Sequence, residues 1–450
     1  MKYQEALDYV ASLSSYGIVP GLDSIRRLCE FLGNPQNELK FVHIAGTNGK
    51  GSTLAYISTI LKCAGYRVGR YLSPVISDYR EKIQVNEKFI TQKALCQGVE
   101  FIKAACDKIV EQGYPHPTPF EVETTLAFWY FREQKCDIVV METGMGGLED
   151  ATNIIQTVCV SVIAAISMDH MNFLGKTLGD IAFQKAGIMK AGRPVVTLCQ
   201  REEAAVVLRD RADVLGCPLI VADPVKASGV RYGVERQRFH YDGMKDLEIR
   251  LAGTYQVANA VLAIETIKVL SKCGFAVSES MLRKGLLQTV WPGRFTVIGK
   301  KPFFVVDGAH NEDAAKKLAE SIKFYFTNKR IIYIMGVLRD KEYEKIIELT
   351  YPYADHILTV TTPDNPRALP AYDLALAVNE VCMRAAGQSG TDAAMGHPQV
   401  TAVDSLEEAV EMSCLLAGKD DVILAFGSLS YLGRLMEIVM KRSESGKKGK

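Results

Sequence analysis

AGTNGKGST, residues 45–53, is the stretch that decides how the chain is organised. An apolar run at residues 41–44 precedes it, and a helix-compatible stretch at residues 54–64 follows it. A strand that turns through glycines into a helix brings several backbone N–H groups, a helix N-terminus and a lysine to one point. The stretch therefore predicts a phosphate-binding loop, and its lysine indicates ATP.

The residues of this loop have distinct expected roles. Gly46, Gly49 and Gly51 let the backbone approach phosphate oxygens, because glycine has no Cβ. Lys50 would place its ammonium on the outer phosphates, and the Ser52 hydroxyl would hold Mg²⁺. The predicted ATP-binding residues of the loop are Gly46, Thr47, Asn48, Gly49, Lys50, Gly51, Ser52 and Thr53. The alternative is a glycine-rich turn that binds nothing.

Length and composition predict two globular domains without a strong overall charge. At 450 residues and 48% hydrophobic content, the chain can bury two substantial cores. Its formal net charge of +1 gives no long-range field that would attract nucleic acid or an anionic membrane. We therefore expect small-molecule ligands held by local charges, and neither nucleic acid nor a membrane as partner.

The cysteines and the chain ends indicate a cytoplasmic protein. The eleven cysteines are an odd number without C-x-x-C spacing, which is typical of reduced core residues. The N-terminus is amphipathic and carries acidic residues where a signal peptide would be apolar. The weakly polar run at residues 157–168 is too short to span a bilayer. The tail at residues 443–450 is polar and basic and is predicted to be disordered.

Two polar side chains follow other predicted strands and join Ser52 as candidate metal ligands. Glu142 ends the β-rich run that starts at residue 137, and His170 comes shortly after the apolar run at residues 158–167. In a parallel sheet the three side chains would emerge at the same edge, where open α/β sheets bind ligands. The alternatives are a solvated strand-end glutamate and a hydrogen-bonded structural histidine.

Lys185 lies beside alanine and glycine on an apolar face of a predicted helix at residues 177–189. It is either a surface lysine whose charged end reaches water or a functional amine near the same sheet edge. Taken without further information, the local sequence favours the surface interpretation.

The strand–helix alternation starts afresh after the Trp-Pro-Gly-Arg sequence at residues 291–294, which predicts a domain boundary. Before it, the alternating sequence at residues 228–252 and its Tyr-Asp-Gly turn predict an antiparallel β extension. We expect an α/β protein in which residues 1–293 form a mostly parallel sheet with the phosphate loop and this small extension. Residues 294–442 are expected to form a smaller, doubly wound, Rossmann-like domain.

The second domain has polar side chains at its predicted strand ends. Asp307 and His310 follow one strand, and Ser428 follows another. The pair of Asp307 and His310 would hold a nucleotide or an amine substrate. Asn311 has the more modest alternative of capping the following helix, which does not exclude ligand binding by its neighbours.

With these residues in view, the sequence resembles the folylpolyglutamate synthase/dihydrofolate synthase family, a branch of the Mur ligase superfamily, over nearly its whole length. Each motif is short, but their order and spacing together are specific. The motifs that carry the resemblance are those at residues 46–52 (GTNGKGS), 73–74 (SP), 142–147 (ETGMGG), 150–153 (DATN), 169–170 (DH), 185–188 (KAGI), 253–260 (GTYQVANA), 292–294 (PGR), 307–311 (DGAHN), 366–369 (PRAL) and 427–429 (GSL).

The resemblance implies an ATP-dependent acid–amino-acid ligase of folate biosynthesis and one-carbon metabolism. Such an enzyme adds L-glutamate to the γ-carboxylate of a reduced folate such as tetrahydrofolate, and the resemblance leaves a second, dihydrofolate synthase activity open. It implies ATP and Mg²⁺ as cofactors and a monomeric state. A second Mg²⁺, a K⁺ ion and a carbamylated lysine are left open by it.

The resemblance also assigns roles to the matching positions of this sequence. The implied catalytic residues are Lys50, Lys185 and His310, and Lys185 matches a lysine that is carbamylated in relatives. The implied metal ligands are Ser52, Glu142 and His170. Outside the loop, the implied nucleotide contacts are Asn259, Arg294 and Asp307. The implied glutamate-side residues are His310 and Ser428, and the implied folate-side residues are Ser73, Pro74, Asp150, Thr152 and Asn153.

The chemistry of such a ligase agrees with these residues. A carboxylate is a poor electrophile, so ATP first converts it to an acyl phosphate, and the enzyme mainly aligns groups and neutralises charge. Two alternatives remain. A peptidoglycan-precursor ligase acting on a UDP-muramyl substrate usually carries an extra N-terminal domain, but only residues 1–40 precede the phosphate-loop strand. A nucleotide-dependent switch that ligates nothing would need no second doubly wound domain.

Overall fold

The computed structural model of the chain describes residues 1–17, 19–389 and 397–448. The chain forms two compact units. The first unit comprises residues 1–230, 238–249 and 257–289, and the second comprises residues 231–237, 250–256 and 290–450.

The first unit is built on an eight-stranded, mostly parallel sheet. Its strands are β1 (Phe41–Ala45), β2 (Val68–Tyr71), β3 (Ile83–Val85), β4 (Lys88–Phe89), β5 (Ile138–Glu142), β6 (Val158–Ile163), β7 (Val195–Leu198) and β8 (Leu219–Ala222). Their order is β4-β3-β2-β5-β1-β6-β7-β8, and only the pairings of β3 with β2 and β4 are antiparallel among the described residues. All residues of β1 and β5 are buried, as expected for apolar strands in the centre of a parallel sheet.

Helices accompany this sheet. They are α1 (Tyr3–Ser12), α2 (Asp23–Phe31), α3 (Lys50–Cys63), α4 (Gln92–Glu111), α5 (Pro119–Glu133), α6 (Met171–Leu174), α7 (Leu178–Ala186), α8 (Glu202–Val214), α9 (Gln256–Lys272) and α10 (Glu279–Gln288). One buried hydrophobic cluster joins the sheet to α1, α2, α4 and α5, and another joins it to α7 and α8. The start of α5 is fixed locally, because Pro119 lies in its first turn and Thr118 and Glu121 form a capping box.

A small antiparallel sheet follows β8 in the chain. Its strands are β9 (Ser228–Arg231), β10 (Gln237–Tyr241) and β11 (Met244–Ile249), in the order β11-β10-β9. Asp242 and Gly243 form the turn between β10 and β11, and both have positive φ, as a tight hairpin turn requires. The antiparallel extension that the sequence predicts is therefore confirmed.

The second unit contains a six-stranded sheet. Its strands are β12 (Thr296–Lys300), β13 (Phe303–Val306), β14 (Ile331–Met335), β15 (His356–Thr359), β16 (Gln399–Ala402) and β17 (Val422–Phe426), in the order β12-β13-β17-β14-β15-β16. β12 runs antiparallel to β13, and the other pairs are parallel. Its helices are α11 (Glu312–Tyr325), α12 (Tyr343–Thr350), α13 (Ala371–Ser389), α14 (Leu406–Leu416) and α15 (Leu432–Lys448). The two-domain α/β class is confirmed, with a mixed second sheet.

The unit boundary and the C-terminal tail differ from the sequence-based expectation. The first unit ends at residue 289, before the predicted boundary at residue 293, and residues 231–237 and 250–256 belong to the second unit. Helix α15 continues to Lys448, so most of the tail predicted to be disordered is helical. Extending an existing helix avoids the free-energy cost of nucleating a new one, which explains why the polar tail continues α15. Residues 449 and 450 lie outside the described residues.

The eleven cysteines are free thiols, as the sequence predicts. Across the described ranges, no helix combines the length and the apolar character that crossing a bilayer requires. Short 3₁₀ turns lie at Leu13–Tyr16, Pro35–Glu38, Tyr79–Lys82, Ala151–Ile154, Pro224–Lys226, Tyr351–Tyr353 and Leu429–Tyr431.

Candidate active site

The phosphate loop connects β1 to α3, and Gly49 is the N-cap of α3. Gly49 has a φ of 87°, and a Cβ at this position would lie 2.5 Å from Asn259 Oδ1. At Gly46, a Cβ would lie 2.8 Å from the Cβ of Ala164. Both positions therefore require glycine. The same contact shows that Asn259, a predicted nucleotide contact near the start of α9, lies against the loop.

Hydrogen bonds fix the loop to the segment that follows β6. The backbone N–H groups of Thr47 and Asn48 donate to the carbonyl of Ala165 at 2.8 and 3.2 Å. Thr47 Oγ1 donates to the Ser167 carbonyl at 2.9 Å and accepts from the Ser167 N–H at 3.1 Å. These bonds set the shape of the loop, while the ATP contacts of Thr47 and Asn48 stay a prediction.

Two lysine side chains converge on one carbonyl of the loop. Lys50 Nζ donates to the Gly46 carbonyl at 3.1 Å, and Lys185 Nζ donates to the same oxygen at 2.9 Å. Lys185 is only 3% exposed, so the surface interpretation of this residue is wrong. Burial, together with the nearby charge of Lys50, lowers the pKa of Lys185 to about 7. A substantial fraction of this amine is therefore neutral and nucleophilic at neutral pH.

The predicted metal ligands follow neighbouring parallel strands. Ser52 lies in the first turn of α3 after β1, Glu142 is the last residue of β5, and His170 follows β6. Because β5, β1 and β6 are adjacent and parallel, the shared sheet edge that the sequence predicts is confirmed. Ser52 and Glu142 are buried, and His170 is exposed.

The partners of these side chains bear on metal binding. Glu142 Oε1 accepts from the Ser73 N–H at 2.7 Å, and His170 Nε2 lies 3.9 Å from Asp169 Oδ1. Within the part of the chain that the structure describes, no group of three or more His, Cys, Asp and Glu side chains is placed to hold a metal. The roles of Ser52, Glu142 and His170 as ligands therefore stay a prediction. A hydroxyl and a carboxylate do fit Mg²⁺, which prefers oxygen ligands and retains water or phosphate in its shell.

The predicted folate-side pair of Ser73 and Pro74 follows β2, which runs parallel to β5. A cis peptide bond joins the two residues. Since the Ser73 N–H donates to Glu142, this segment lies directly against a candidate metal ligand.

Asp150 holds the glycine-rich loop that follows Glu142. Its carboxylate accepts from the Met145 N–H at 2.9 Å and from Thr152 Oγ1 at 2.6 Å, and burial raises its pKa. Thr152 Oγ1 also lies 2.8 Å from Nε2 of His43, a core residue of β1 that the sequence analysis did not single out. Burial lowers the pKa of His43 to about 3, so its ring is neutral. Because the Thr152 hydroxyl donates to Asp150, its oxygen accepts from His43 Nε2–H.

Asn153 connects the same loop to the end of α7. Its Nδ2 donates to the carbonyls of Leu148 and Gly187 at 3.0 and 3.1 Å. Lys190 Nζ donates to Asn153 Oδ1 at 2.9 Å, and burial lowers the pKa of Lys190 to about 8. The polar atoms of Asn153 thus hold protein groups together, and a direct folate contact stays a prediction for it.

The second unit gathers Asp307, Arg294 and Tyr255 at the end of β13. Asp307 Oδ2 accepts from the Tyr255 hydroxyl at 2.9 Å and from the Phe295 N–H at 2.8 Å. Arg294 Nη1 donates to the Gly308 carbonyl at 3.3 Å. Burial raises the pKa of Asp307, and the charge of Arg294 opposes this shift. The two predicted nucleotide contacts of this unit are therefore close together, and a tyrosine to which the sequence assigned no role bonds to one of them, Asp307.

The predicted glutamate-side residues also share an edge of the second sheet. His310 follows β13 and Ser428 follows β17, and these strands are adjacent and parallel. The Gly427 N–H donates to the Ala309 carbonyl at 3.1 Å, which joins the two loops. Asn311 Oδ1 accepts a backbone N–H from the first turn of α11 at 2.9 Å, so the capping alternative for this residue is confirmed.

Comparisons with known proteins agree with this geometry. Residues 44–267 match the Mur ligase middle domain, and residues 293–429 match the glutamate ligase domain of Mur ligases. The dihydrofolate synthase/folylpolyglutamate synthase of Bacillus subtilis is 37% identical over 382 residues, which cover 83% of this chain and 88% of the relative. The folylpolyglutamate synthase of Lacticaseibacillus casei is 37% identical over 380 residues, which cover 82% and 88%.

A solved structure of a relative shows the same fold. Mycobacterium tuberculosis folylpolyglutamate synthase, solved in complexes with ADP and AMPPCP, superimposes with a TM-score of 0.86 at 27% sequence identity. The match covers 97% of this chain and 99% of the solved chain.

The fold, the phosphate loop and the two matched domains define an ATP-dependent ligase of the Mur type. Among these ligases, the chain belongs to the folylpolyglutamate synthase/dihydrofolate synthase family. The resemblance found in the sequence is thereby confirmed, and neither a UDP-muramyl ligase nor a non-ligating switch is favoured.

Proposed function

We propose that the chain joins L-glutamate to the γ-carboxylate of a reduced folate such as tetrahydrofolate and converts ATP to ADP and phosphate as it does so. Its family and the names of its relatives support this substrate class. The observation that carries the proposal is the convergence of Lys50 and Lys185 on the Gly46 carbonyl within the phosphate loop. Lys50 supplies the cation and the backbone N–H groups of the loop supply the donors that the triphosphate of ATP requires, whereas Lys185 has the separate role given below.

The first step of the proposed reaction activates the folate. An oxygen of the γ-carboxylate attacks the γ-phosphorus of ATP, and the bond from that phosphorus to ADP breaks. The loop at residues 46–53 and the ammonium of Lys50 would hold the phosphates during this step. Ser52, Glu142 and His170 would hold Mg²⁺, which neutralises phosphate charge when bound.

The second step forms the amide. The amino group of glutamate attacks the acyl carbon, phosphate leaves, and the nitrogen loses a proton. His310 and Ser428 would position glutamate, and Ser73 and Pro74 would face the folate. Asn259, Arg294 and Asp307 would contact the nucleotide in both steps. Asp150, Thr152 and Asn153 would serve the folate side by supporting its loop, because their hydrogen bonds are made to that loop and to α7.

Lys185 is proposed to react with CO₂. The neutral nitrogen would form a bond to the carbon, the electron pair of one C–O π bond would move to its oxygen, and the nitrogen would lose a proton, so that a carbamate anion replaces the amine. The pKa of about 7 supports this step, because the neutral amine is the nucleophile. A carbamate would add an oxygen ligand for Mg²⁺, including a second Mg²⁺, near the phosphate loop.

The proposal includes a cytoplasmic, monomeric enzyme. Free thiols at all eleven cysteines suit a reducing compartment. Sedimentation of the purified protein at micromolar concentration tests the monomeric state, and a concentration-dependent dimer would contradict it.

The proposed function is tested by assays from which tetrahydrofolate or L-glutamate is left out in turn. We expect ADP and phosphate release only when tetrahydrofolate and L-glutamate are both present. Equal ATP turnover without folate would contradict the proposal. A parallel reaction with dihydropteroate in place of tetrahydrofolate shows whether the chain also acts as a dihydrofolate synthase, and mass spectrometry of both products gives the number of glutamates added.

A further inference from the structure

The carboxylate of Asp307 is enclosed by hydrogen-bond donors. Asp307 is 4% exposed. Its Oδ2 accepts from the Tyr255 hydroxyl at 2.9 Å and from the Phe295 N–H at 2.8 Å, and its Oδ1 accepts from the Ala309 N–H at 2.8 Å. Two of these three donors are backbone groups. Tyr255 is therefore the donor that a substitution can remove without moving the main chain.

The position of Tyr255 is set independently of Asp307. Gly253, two residues earlier, has a φ of 102°, and a Cβ there would lie 2.9 Å from the Tyr255 ring. The Gly253 carbonyl accepts from Gln237 Nε2 at 2.9 Å, and the Thr254 N–H donates to Ser321 Oγ at 3.2 Å. These contacts hold residues 253–255 in place, so the Tyr255 hydroxyl lies within hydrogen-bond distance of the Asp307 carboxylate.

Burial and neighbouring charges affect the protonation of both Asp307 and Tyr255. Burial raises the pKa of Asp307, whereas the Arg294 guanidinium and the Tyr255 hydroxyl both favour the ionised carboxylate. Burial and the facing Asp307 charge raise the pKa of Tyr255 well above its usual value, so its hydroxyl keeps its proton and acts as a donor. Tyr325 is the further titratable group that faces Tyr255.

Movement of Asp307 would affect more than one candidate contact. Arg294 Nη1 and His310 Nδ1 both bond to the Gly308 carbonyl, at 3.3 and 2.7 Å, and Gly308 directly follows Asp307. A Cβ at Gly308 would lie 2.4 Å from Arg294 Nη1, so the guanidinium packs directly against this backbone. The orientation of the carboxylate is thus coupled to Arg294 and His310.

We infer that Tyr255 is a positioning residue whose hydroxyl keeps Asp307 in the charged, accepting form and fixes the loop that carries His310. The inference rests on the proposed function, in which Asp307 contacts the nucleotide. A protonated Asp307 would offer a donor where an acceptor is needed, and it would release the loop from one of its bonds.

The first test is the pH profile of the Tyr255→Phe variant. Phenylalanine keeps the ring against Gly253 and removes only the hydroxyl. We expect the acid limb of kcat to move upward by about one pH unit, since a hydrogen bond to a charged group is lost. On the alkaline plateau we expect kcat to stay within about threefold of the wild type, because a sufficiently high pH ionises Asp307 with or without the hydroxyl. A uniform loss of kcat at every pH would overturn the inference.

Tyr325→Phe is the matched control. Tyr325 packs against Phe295 with ring centroids 5.3 Å apart, and its hydroxyl faces the Gly253 backbone rather than Asp307. This variant removes a hydroxyl from the same aromatic cluster without touching Asp307. We expect its pH profile to superimpose on that of the wild type, and an equal shift in both variants would overturn the inference.

A second measurement does not depend on catalysis. The hydroxyl stabilises the ionised form of Asp307, so its removal lowers stability more at high pH than at low pH. We expect the difference in thermal midpoint between wild type and Tyr255→Phe to be at least twice as large at pH 8 as at pH 4.5. In an Asp307→Asn background this pH dependence should vanish. If it persists there, or if the difference does not change with pH, the inference fails.

The two kinds of failure are distinguishable. If the wild type releases no folate-dependent and glutamate-dependent ADP, the proposed function fails, while the stability measurement still decides whether Tyr255 controls Asp307. If the wild type is active but the profiles of wild type and Tyr255→Phe coincide, only the inference about Tyr255 fails.

Discussion

At the scale of single residues, Lys185 is unusual because an ionisable amine lies in a buried position, where a positive charge is unfavourable. A lysine that is 3% exposed must lose most of its hydration, which lowers the pKa to about 7. A hydrophobic residue would stabilise this position better, so an amine here indicates a functional requirement. The amine donates a hydrogen bond to the Gly46 carbonyl at 2.9 Å, so it lies directly against the phosphate loop.

Replacing Lys185 tests its proposed carbamate. We expect Lys185→Ala to lower kcat by about 100-fold or more, as for loss of a group that stabilises transition-state charge. High bicarbonate should not restore activity, because the amine is gone, whereas formate or acetate should restore part of it. Steady-state ADP release measures the effect, and Lys176→Ala, at an exposed lysine, is the control. Full activity of Lys185→Ala would refute the carbamate role.

His43 makes stability depend on pH. Its folded-state pKa of about 3 lies below the ordinary value of 6.5, so its contribution is fully present above pH 6.5 and is lost as the pH falls towards 3. The loss over this range is about 3–5 kcal/mol. His43→Gln keeps a donor for Thr152 but does not titrate, so its stability should fall less between pH 6.5 and 4. Urea unfolding measures this, with His397→Gln, at an exposed histidine, as the control. Parallel curves for wild type and His43→Gln would contradict the expectation.

At the scale of elements, the sequence identifies those whose pattern is local. Buried parallel strands such as β1 and β5 are continuous apolar runs, and the phosphate loop has its own spacing of glycines and lysine. The sequence does not predict β3 and β4, because two or three residues carry too little periodicity and depend on their partner strands. It does not predict β12 either, because that strand contains a glycine and a lysine and is only partly buried.

In the candidate site, too, some residues are recognisable from the local sequence and others are not. Lys50 and Ser52 are recognisable because they stand at fixed positions in one loop. The burial of Lys185 and the support given by Asn153 are not recognisable from local sequence, because they depend on partners far along the chain. Gly46 is 139 residues from Lys185, and Lys190 is 37 residues from Asn153.

The strand–loop–helix unit around Gly49 allows a matched test of the phosphate loop. Gly49 and Gly113 have φ values of 87° and 85°, but a Cβ meets Asn259 at 2.5 Å only at Gly49, while nothing lies within 4 Å at Gly113. Both alanine variants carry a backbone penalty of about 1 kcal/mol. We expect Gly49→Ala to weaken AMPPCP binding at least about tenfold, since a shifted Asn259 and loop lose about 1.4 kcal/mol or more. Gly113→Ala should bind normally in calorimetry, and equal affinities would contradict the expectation.

At the scale of the whole molecule, the sequence pattern shows where the strand–helix alternation restarts. It does not show which short segments before that point belong to the second unit. Residues 231–237 and 250–256 belong to the second unit although first-unit segments flank them. These segments are too short to carry a domain signature. Tyr255, which bonds to Asp307, lies in one of them, so its role emerges only when the fold is known.

The net charge of the whole chain is only +1, so a triphosphate must be held by local cations and by Mg²⁺ rather than by a general field. We therefore expect AMPPCP with Mg²⁺ to raise the thermal midpoint of unfolding clearly more than AMPPCP with EDTA. At a ligand concentration of 100 times Kd, binding adds about 2.7 kcal/mol to stability. Glu142→Gln keeps an acceptor for the Ser73 N–H but removes the charge, so most of the Mg²⁺-dependent increase should disappear. Glu149→Gln, at an exposed glutamate of the same loop, is the matched control and should retain the increase. If Glu142→Gln keeps the full increase, Glu142 is not a metal ligand and the proposed site must lie elsewhere.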